Sequence, residues 1–119
     1  MSVTAVSTMS ISYSGDEAAV GAGTEPTQIT NSDAPSAGAY LVNLSSGFNQ
    51  ITIPTGHTVY GVDIYPPSGN TTTLTLKGLT GDTGIPLSLT RPNRITFASG
   101  ATTFGLTTGG AMAVRLAYF

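Results

Sequence analysis

The sequence predicts an all-β protein, a single antiparallel β-sandwich of jelly-roll type with an extended N-terminal arm or long loop. Three observations predict it. A chain of 119 residues has room for one domain. Its 20 Thr, 15 Gly and 7 Pro favour short strands and tight turns over helices. After residue 38, short apolar runs recur roughly every ten residues with turn residues between them, as in sandwiches and jelly rolls.

The first 13 residues are predicted to contain a strand, because Met9, Ile11 and Tyr13 alternate with serines. Residues 14–38 lose this periodicity, and their only large aliphatic side chains are Val20 and Ile29. Ordering this segment costs about 25–50 kcal/mol of backbone entropy. Burial of its two aliphatic side chains returns only about 1.5–3 kcal/mol apiece. The domain boundaries predicted from this contrast are a strand plus low-complexity arm over residues 1–38 and a sandwich body over residues 39–119.

The arm is also predicted to differ in charge from the body. Four of the six acidic residues lie in residues 14–38, which hold no base, so this segment carries −4. The body holds two acids against four bases and carries +2. We therefore expect an extended arm or long loop whose contacts are mostly with neighbouring molecules. The alternative is a polar loop that is simply solvated.

The body is predicted to consist of eight short strands. Within one of them Val62 and Ile64 share a face, and Asp63 lies on the opposite face. The last predicted strand is apolar on both faces, which indicates burial against a second sheet or against another subunit of a symmetric homo-oligomer such as a trimer. The predicted strands cover residues 40–44, 48–53, 58–65, 72–77, 85–89, 94–98, 102–107 and 111–118.

Composition excludes several classes of function. Four basic residues and a net charge of −2 exclude a basic nucleic-acid-binding surface. No apolar run approaches the ~18 residues of a membrane span, and the first 13 residues lack the basic and apolar regions of a secretory signal. The absence of cysteine excludes disulfides, thiolate catalysis and Cys-ligated zinc.

Titratable side chains are too few to predict an enzyme. Outside the arm the only candidates for acid–base chemistry are Asp63, Asp82 and His57. Asp63 is expected to be an exposed strand carboxylate, and Asp82, within Gly-Asp-Thr-Gly, is expected to close a turn. His57 has no second histidine with which to bind a metal and is expected in a surface turn. No catalytic, metal-binding or cofactor-binding residue is predicted.

Aromatic residues are the remaining candidates for a binding role. Three of them fall in phase with aliphatic residues and are expected in the core, namely Tyr60, Phe97 and Tyr118. Tyr65 precedes two prolines and Phe119 ends the sequence, so both are expected at the surface. With the two aliphatic residues of the arm, the predicted partner-contact residues are Val20, Ile29, Tyr65 and Phe119.

Two stretches resemble small structural proteins of tailed bacteriophages: LTLKGLTGDTGIPLSLTRPNRITF at Leu74–Phe97 and FGLTTGGAMAVRLAYF at Phe104–Phe119. The similarity lies in Thr/Gly-rich strands, a Lys-Gly-x-x-Gly-Asp-Thr-Gly-Ile turn and a final Val-x-(aliphatic)-x-(aromatic) strand, and covers roughly residues 57–119. It implies a virion protein made in the host cytoplasm, foremost a capsid decoration (cement) protein bound to the major capsid protein or other virion proteins. The alternative is a carbohydrate- or receptor-binding module of a head fibre or tail.

Overall fold

The computed structural model describes residues 3–9, 28–35 and 40–119. Within these ranges every regular element is a strand and all strand pairing is antiparallel, which confirms the all-β prediction. The strands are β1 (Val3–Thr8), β2 (Gln28–Ala34), β3 (Tyr40–Leu44), β4 (Gly47–Thr52), β5 (Gly61–Tyr65), β6 (Leu74–Lys77), β7 (Ile85–Pro86), β8 (Asn93–Thr96), β9 (Thr103–Thr108) and β10 (Met112–Tyr118).

Eight of the strands form two four-stranded sheets, one in the order β3-β10-β5-β8 and the other in the order β4-β9-β6-β7. In these sheets the first strand of the body pairs with the last, the second with the second last, and so on inward to the β6-β7 hairpin. A long hairpin wound in this way into two facing sheets is a jelly roll, so the predicted architecture is confirmed.

The core lies between the two sheets and is built from the alternate side chains of each strand. Val62 and Ile64 of β5 are fully buried, as their spacing predicts, and they face Leu74 and Leu106 of the opposite sheet within one apolar cluster. Burial of each such side chain stabilises the fold by about 1.5–3 kcal/mol. Because one face of each strand lies in the core, the alternation of apolar residues predicts these strands correctly.

The last strand, β10, lies in the interior of its sheet between β3 and β5. Its alternate residues from Met112 to Tyr118 are buried in the core. On its other face Ala113 and Ala117 are half-buried and Arg115 is exposed. An internal strand thus accounts for apolar residues on both faces, and the homo-oligomer stays a prediction.

Each of the eight predicted body strands has a counterpart, with differences at the ends. The strand predicted from residue 58 begins at Gly61, and Tyr60 is 46% exposed, so its expected place in the core is wrong. The reason is that Tyr60 precedes the strand and donates its backbone N–H to the carbonyl of Phe119. Phe97 is half-buried against the core and Tyr118 is buried, as expected.

The N-terminal region contributes a separate two-stranded antiparallel sheet, β1-β2. The strand predicted in the first 13 residues rested on Met9, Ile11 and Tyr13, whereas β1 ends at Thr8. Ile11 and Tyr13 lie outside the described residues. Residues 28–34, expected in the arm, instead form β2. The sequence did not indicate this strand because Gln28–Ala34 contains one large apolar residue, Ile29, and no apolar alternation.

Candidate functional site

On the outer face of the β3-β10-β5-β8 sheet, an arginine and an aspartate form an ion pair with two hydrogen bonds. Asp63 is opposite Arg94 in the β5-β8 register, and its carboxylate accepts hydrogen bonds from Nε at 2.8 Å and Nη2 at 3.0 Å. Asp63 is 8% exposed, so the predicted exposed carboxylate is wrong. Hydrogen bonding to Asp63 raises the pKa of Arg94, against the opposing effect of burial. The guanidinium is therefore positively charged at every ordinary pH.

Phe119 covers this ion pair at one end. Its backbone continues the pairing with β5 by hydrogen bonds to Gly61, and its ring lies against the position that a Gly61 side chain would occupy. The Arg94 guanidinium lies 5.6 Å from the centre of the Phe119 ring, within cation–π range. Phe119 is 5% exposed, so its predicted surface position is wrong.

One junction between the N-terminal hairpin and the body lies at residues 57 and 58. The Asp33 carboxylate of β2 accepts hydrogen bonds from the backbone N–H of Thr58 at 3.0 Å and its hydroxyl at 3.2 Å. It also lies 3.2 Å from Nδ1 of His57. Asn31, which is buried, donates its side-chain N–H to the Thr58 carbonyl at 2.7 Å. His57 is thus half-buried at a junction, where a plain surface turn was expected.

Asp82 occupies the turn position that the sequence predicts. Its carboxylate accepts the backbone N–H groups of Gly78 at 3.1 Å and Leu79 at 2.7 Å and so closes the connection between β6 and β7. Asp82 is exposed and far along the chain from the hairpin junction. Its geometry is that of a turn-closing carboxylate.

A shallow depression of about 570 Å³ lies on the outer face of the β3-β10-β5-β8 sheet. Leu41, Arg115 and Tyr65 are directly opposite one another on three adjacent strands, so their side chains lie side by side. Two prolines, Pro66 and Pro67, enclose one end. We call this feature the Arg115 depression; its lining is completed by Ser68 and Ala113.

Other exposed apolar side chains lie outside the lining of the Arg115 depression. Tyr40 packs edge-on against Tyr118, with ring centres 5.7 Å apart, beside a cleft between the β3 and β4 edges. Ile85 borders a second cleft, near the β7 and β8 edges, and is 62% exposed. Leu79, in the turn that Asp82 closes, is 72% exposed. The apolar surface is therefore distributed over several sides of the sandwich.

Of the four predicted contact residues, only Tyr65 is both described by the structure and exposed. Tyr65 is 39% exposed and lines the Arg115 depression. Ile29 is half-buried in the separate hairpin, Phe119 is buried, and Val20 lies outside the described residues. Sequence reasoning missed Leu41 and Arg115, which only the strand register brings beside Tyr65.

Among the residues that the structure describes, no three His, Asp or Glu side chains lie close enough together to hold a metal ion. In the same part of the chain no helix has the length and apolar character needed to cross a membrane. No family model matches the sequence, and neither a curated protein nor a solved structure matches it.

Proposed function

We propose that the chain is a non-enzymatic structural protein of a bacteriophage particle, a decoration protein that binds the outer surface of the capsid and stabilises it. The observation that carries the structural role is the distribution of exposed apolar side chains over separate faces of the molecule. They are Val6, Met9, Tyr40, Leu41, Tyr60, Tyr65, Leu79 and Ile85, each 39% to 72% exposed.

Large contiguous apolar patches mark contact sites, and exposed apolar side chains on several faces leave several surfaces available for such contacts. A single-ligand protein needs one such place, whereas a subunit of a shell meets several neighbours. Here they lie on the N-terminal hairpin at Val6, on the outer sheet face at Leu41 and at the β6-β7 end at Leu79. This spread supports a subunit that contacts more than one neighbour.

The low charge of the chain supports the same proposal. Charged residues make up 8% of the sequence, and the centres of protein interfaces are depleted of charge because desolvating it is costly. The bacteriophage origin and the placement on a capsid rest on the resemblance of Leu74–Phe97 and Phe104–Phe119 to phage structural proteins.

The test compares particles with and without the protein. Capsids that lack it should release their genome at a lower temperature, and adding the purified chain back should restore the original temperature. His57→Ala and Asp82→Ala should restore it equally well, since neither side chain has a catalytic or metal-binding role in this proposal. Identical release temperatures for the two kinds of particle, or failure of the added chain to bind particles that lack it, would contradict a cement role.

One observation favours a second candidate, a carbohydrate- or receptor-binding module of a head fibre or tail. The Arg115 depression places the exposed ring of Tyr65 beside an exposed guanidinium in a concavity of ligand size. A particle-attached chain that leaves capsid stability unchanged and binds a glycan would favour this candidate over the first.

A further inference from the structure

The Arg115 depression joins three kinds of contact in one concavity: an aromatic ring, a cation and aliphatic walls. Its volume, about 570 Å³, lies within the range of about 300–1,000 Å³ of small-molecule sites. We propose that it binds an acidic sugar, with the carboxylate on Arg115 and one face of the sugar ring on Tyr65. This inference rests on the second candidate function and names its ligand class.

The charge of the depression indicates an anionic ligand. Arg115 is exposed, and no carboxylate of the described residues pairs with it. Asp63 is held by Arg94, and Asp82 accepts two backbone N–H groups of its own turn. A guanidinium presents its N–H groups in a planar fork that matches the two oxygens of a carboxylate.

The apolar part of the depression indicates a ligand with a flat, weakly polar face. Tyr65 lies directly opposite Arg115 across the β5-β10 pair, so the two side chains are neighbours on one face of the sheet. Leu41 flanks Arg115 on the other side, and Pro66 and Pro67 hold the wall at the end of β5 rigid. A pyranose ring offers C–H groups on one face for such a wall and hydroxyls at its edge for water.

The ring and the cation are carried by strands, so the backbone positions of the two residues are fixed in advance. Tyr65 and Arg115 belong to the two central strands of the sheet, each of which pairs with neighbours on both sides. Little backbone ordering is therefore left for the ligand to impose, which favours binding of a small molecule.

The test is binding of glycans to the full-length purified chain by calorimetry and by NMR shift changes. The probes are oligosaccharides ending in glucuronic acid, in N-acetylneuraminic acid and in a ketodeoxyoctonic acid, each with a neutral counterpart. We expect saturable binding to at least one acidic probe, with shift changes at Tyr65 and Arg115, and at least about tenfold weaker binding of its neutral counterpart.

Variants make the assignment specific. Arg115→Gln should weaken binding of the acidic probe about tenfold or more and remove the preference over the neutral probe. Tyr65→Ala should weaken both, and Tyr65→Phe should restore stacking. Arg91→Gln, a change at an exposed arginine outside the depression, should leave binding unchanged, as should Tyr40→Ala.

Several outcomes would overturn the acidic-sugar site. One is the absence of saturable binding to every acidic probe at millimolar concentration by a chain whose thermal unfolding is normal. Another is equal loss of binding in Arg115→Gln and Arg91→Gln, which would indicate unspecific charge attraction. A third is weakened attachment of Arg115→Gln to particles with no glycan binding by wild type, which would assign the depression to a protein contact. None of these results depends on capsid stability, so failure here is distinct from failure of the cement role.

Discussion

Arg94 holds the buried carboxylate of Asp63 through two hydrogen bonds, and its third nitrogen donates at 2.9 Å to the carbonyl of Thr8 in the N-terminal hairpin. One side chain thus joins two strands of the sandwich and the end of β1. Since Asp63 is 8% exposed, water does little to replace these bonds when one partner is removed.

Asp63→Ala should lower the free energy of unfolding by about 1.5–3 kcal/mol, because it removes the carboxylate that accepts two charge-assisted hydrogen bonds from Arg94. The measurement is urea unfolding followed by circular dichroism. Asp82→Ala is the matched control: it removes an exposed carboxylate that closes a turn and should cost about 0.5–1.5 kcal/mol. Equal losses for the two variants would show that burial of the Asp63–Arg94 pair has no energetic effect.

Gly61→Ala should destabilise the fold by about 1–3 kcal/mol or more through overpacking. A Cβ atom at Gly61 would meet the carbonyl oxygen of Ile95 and would lie 2.6 Å from Cζ of Phe119. The carbonyl belongs to a paired strand and cannot move away easily. Gly81→Ala, where a Cβ atom has nothing within 4 Å, is the control and should leave the melting temperature nearly unchanged. A Gly61→Ala variant as stable as the control would contradict this packing of Phe119.

The sequence predicted the sandwich well because its core strands bury one face. The alternation of Leu74 and Leu76, and of Val62 and Ile64, with other residues indicates which face of each strand lies in the core. The burial of Asp63 was missed because the same rule assigns the opposite face to solvent. Arg94, on the neighbouring strand β8, covers Asp63 on that face. The alternation of residues within one strand contains no information about which residue lies opposite on the next strand.

The candidate site was predictable only in part. Tyr65 stood out because two prolines follow it, but its neighbours Leu41 and Arg115 come from β3 and β10, more than 20 residues away in either direction. The order of the strands in a jelly roll determines which residues become neighbours, and this order cannot be predicted from amino-acid composition. Phe119 was misplaced for the same reason, since a glycine on the adjacent strand leaves room for its ring.

Stability at high pH should depend on Tyr118. The pKa of Tyr118 is raised to about 12 from an ordinary value of about 10. Burial of the ring is the larger cause, and the charge interaction with the nearby Tyr40 is the smaller one. The folded state holds the phenol proton more tightly than the unfolded state does. The resulting contribution of Tyr118 to the free energy of unfolding is therefore complete below about pH 10 and is lost as the pH rises through about 12.

Between pH 9 and pH 11 the wild-type chain should therefore lose about 1 kcal/mol of unfolding free energy that Tyr118→Phe does not lose. The measurement is urea unfolding at both pH values, read as the change with pH so that the different starting stabilities cancel. Tyr60→Phe, which removes the phenol of a 46% exposed ring, should keep the full wild-type loss. The same pH dependence in both variants would contradict a raised pKa at Tyr118.

Removal of residues 1–38 should leave the sandwich folded while weakening its attachment to particles or its self-association. The hairpin contributes no strand to either four-stranded sheet, and its contacts with the body include polar ones at His57, Thr58 and Arg94. Loss of these few bonds should lower the free energy of unfolding by about 1–4 kcal/mol, at a net 0.5–1.5 kcal/mol each, and preserve the β-type circular dichroism spectrum.

The point variant Asp33→Ala, which keeps the arm but removes the side-chain acceptor for Thr58, should show part of the stability loss and retain particle binding. An unfolded deletion variant would show instead that the hairpin is an integral part of the domain, and a folded one with undiminished attachment would contradict the arm's role in contacting neighbouring molecules.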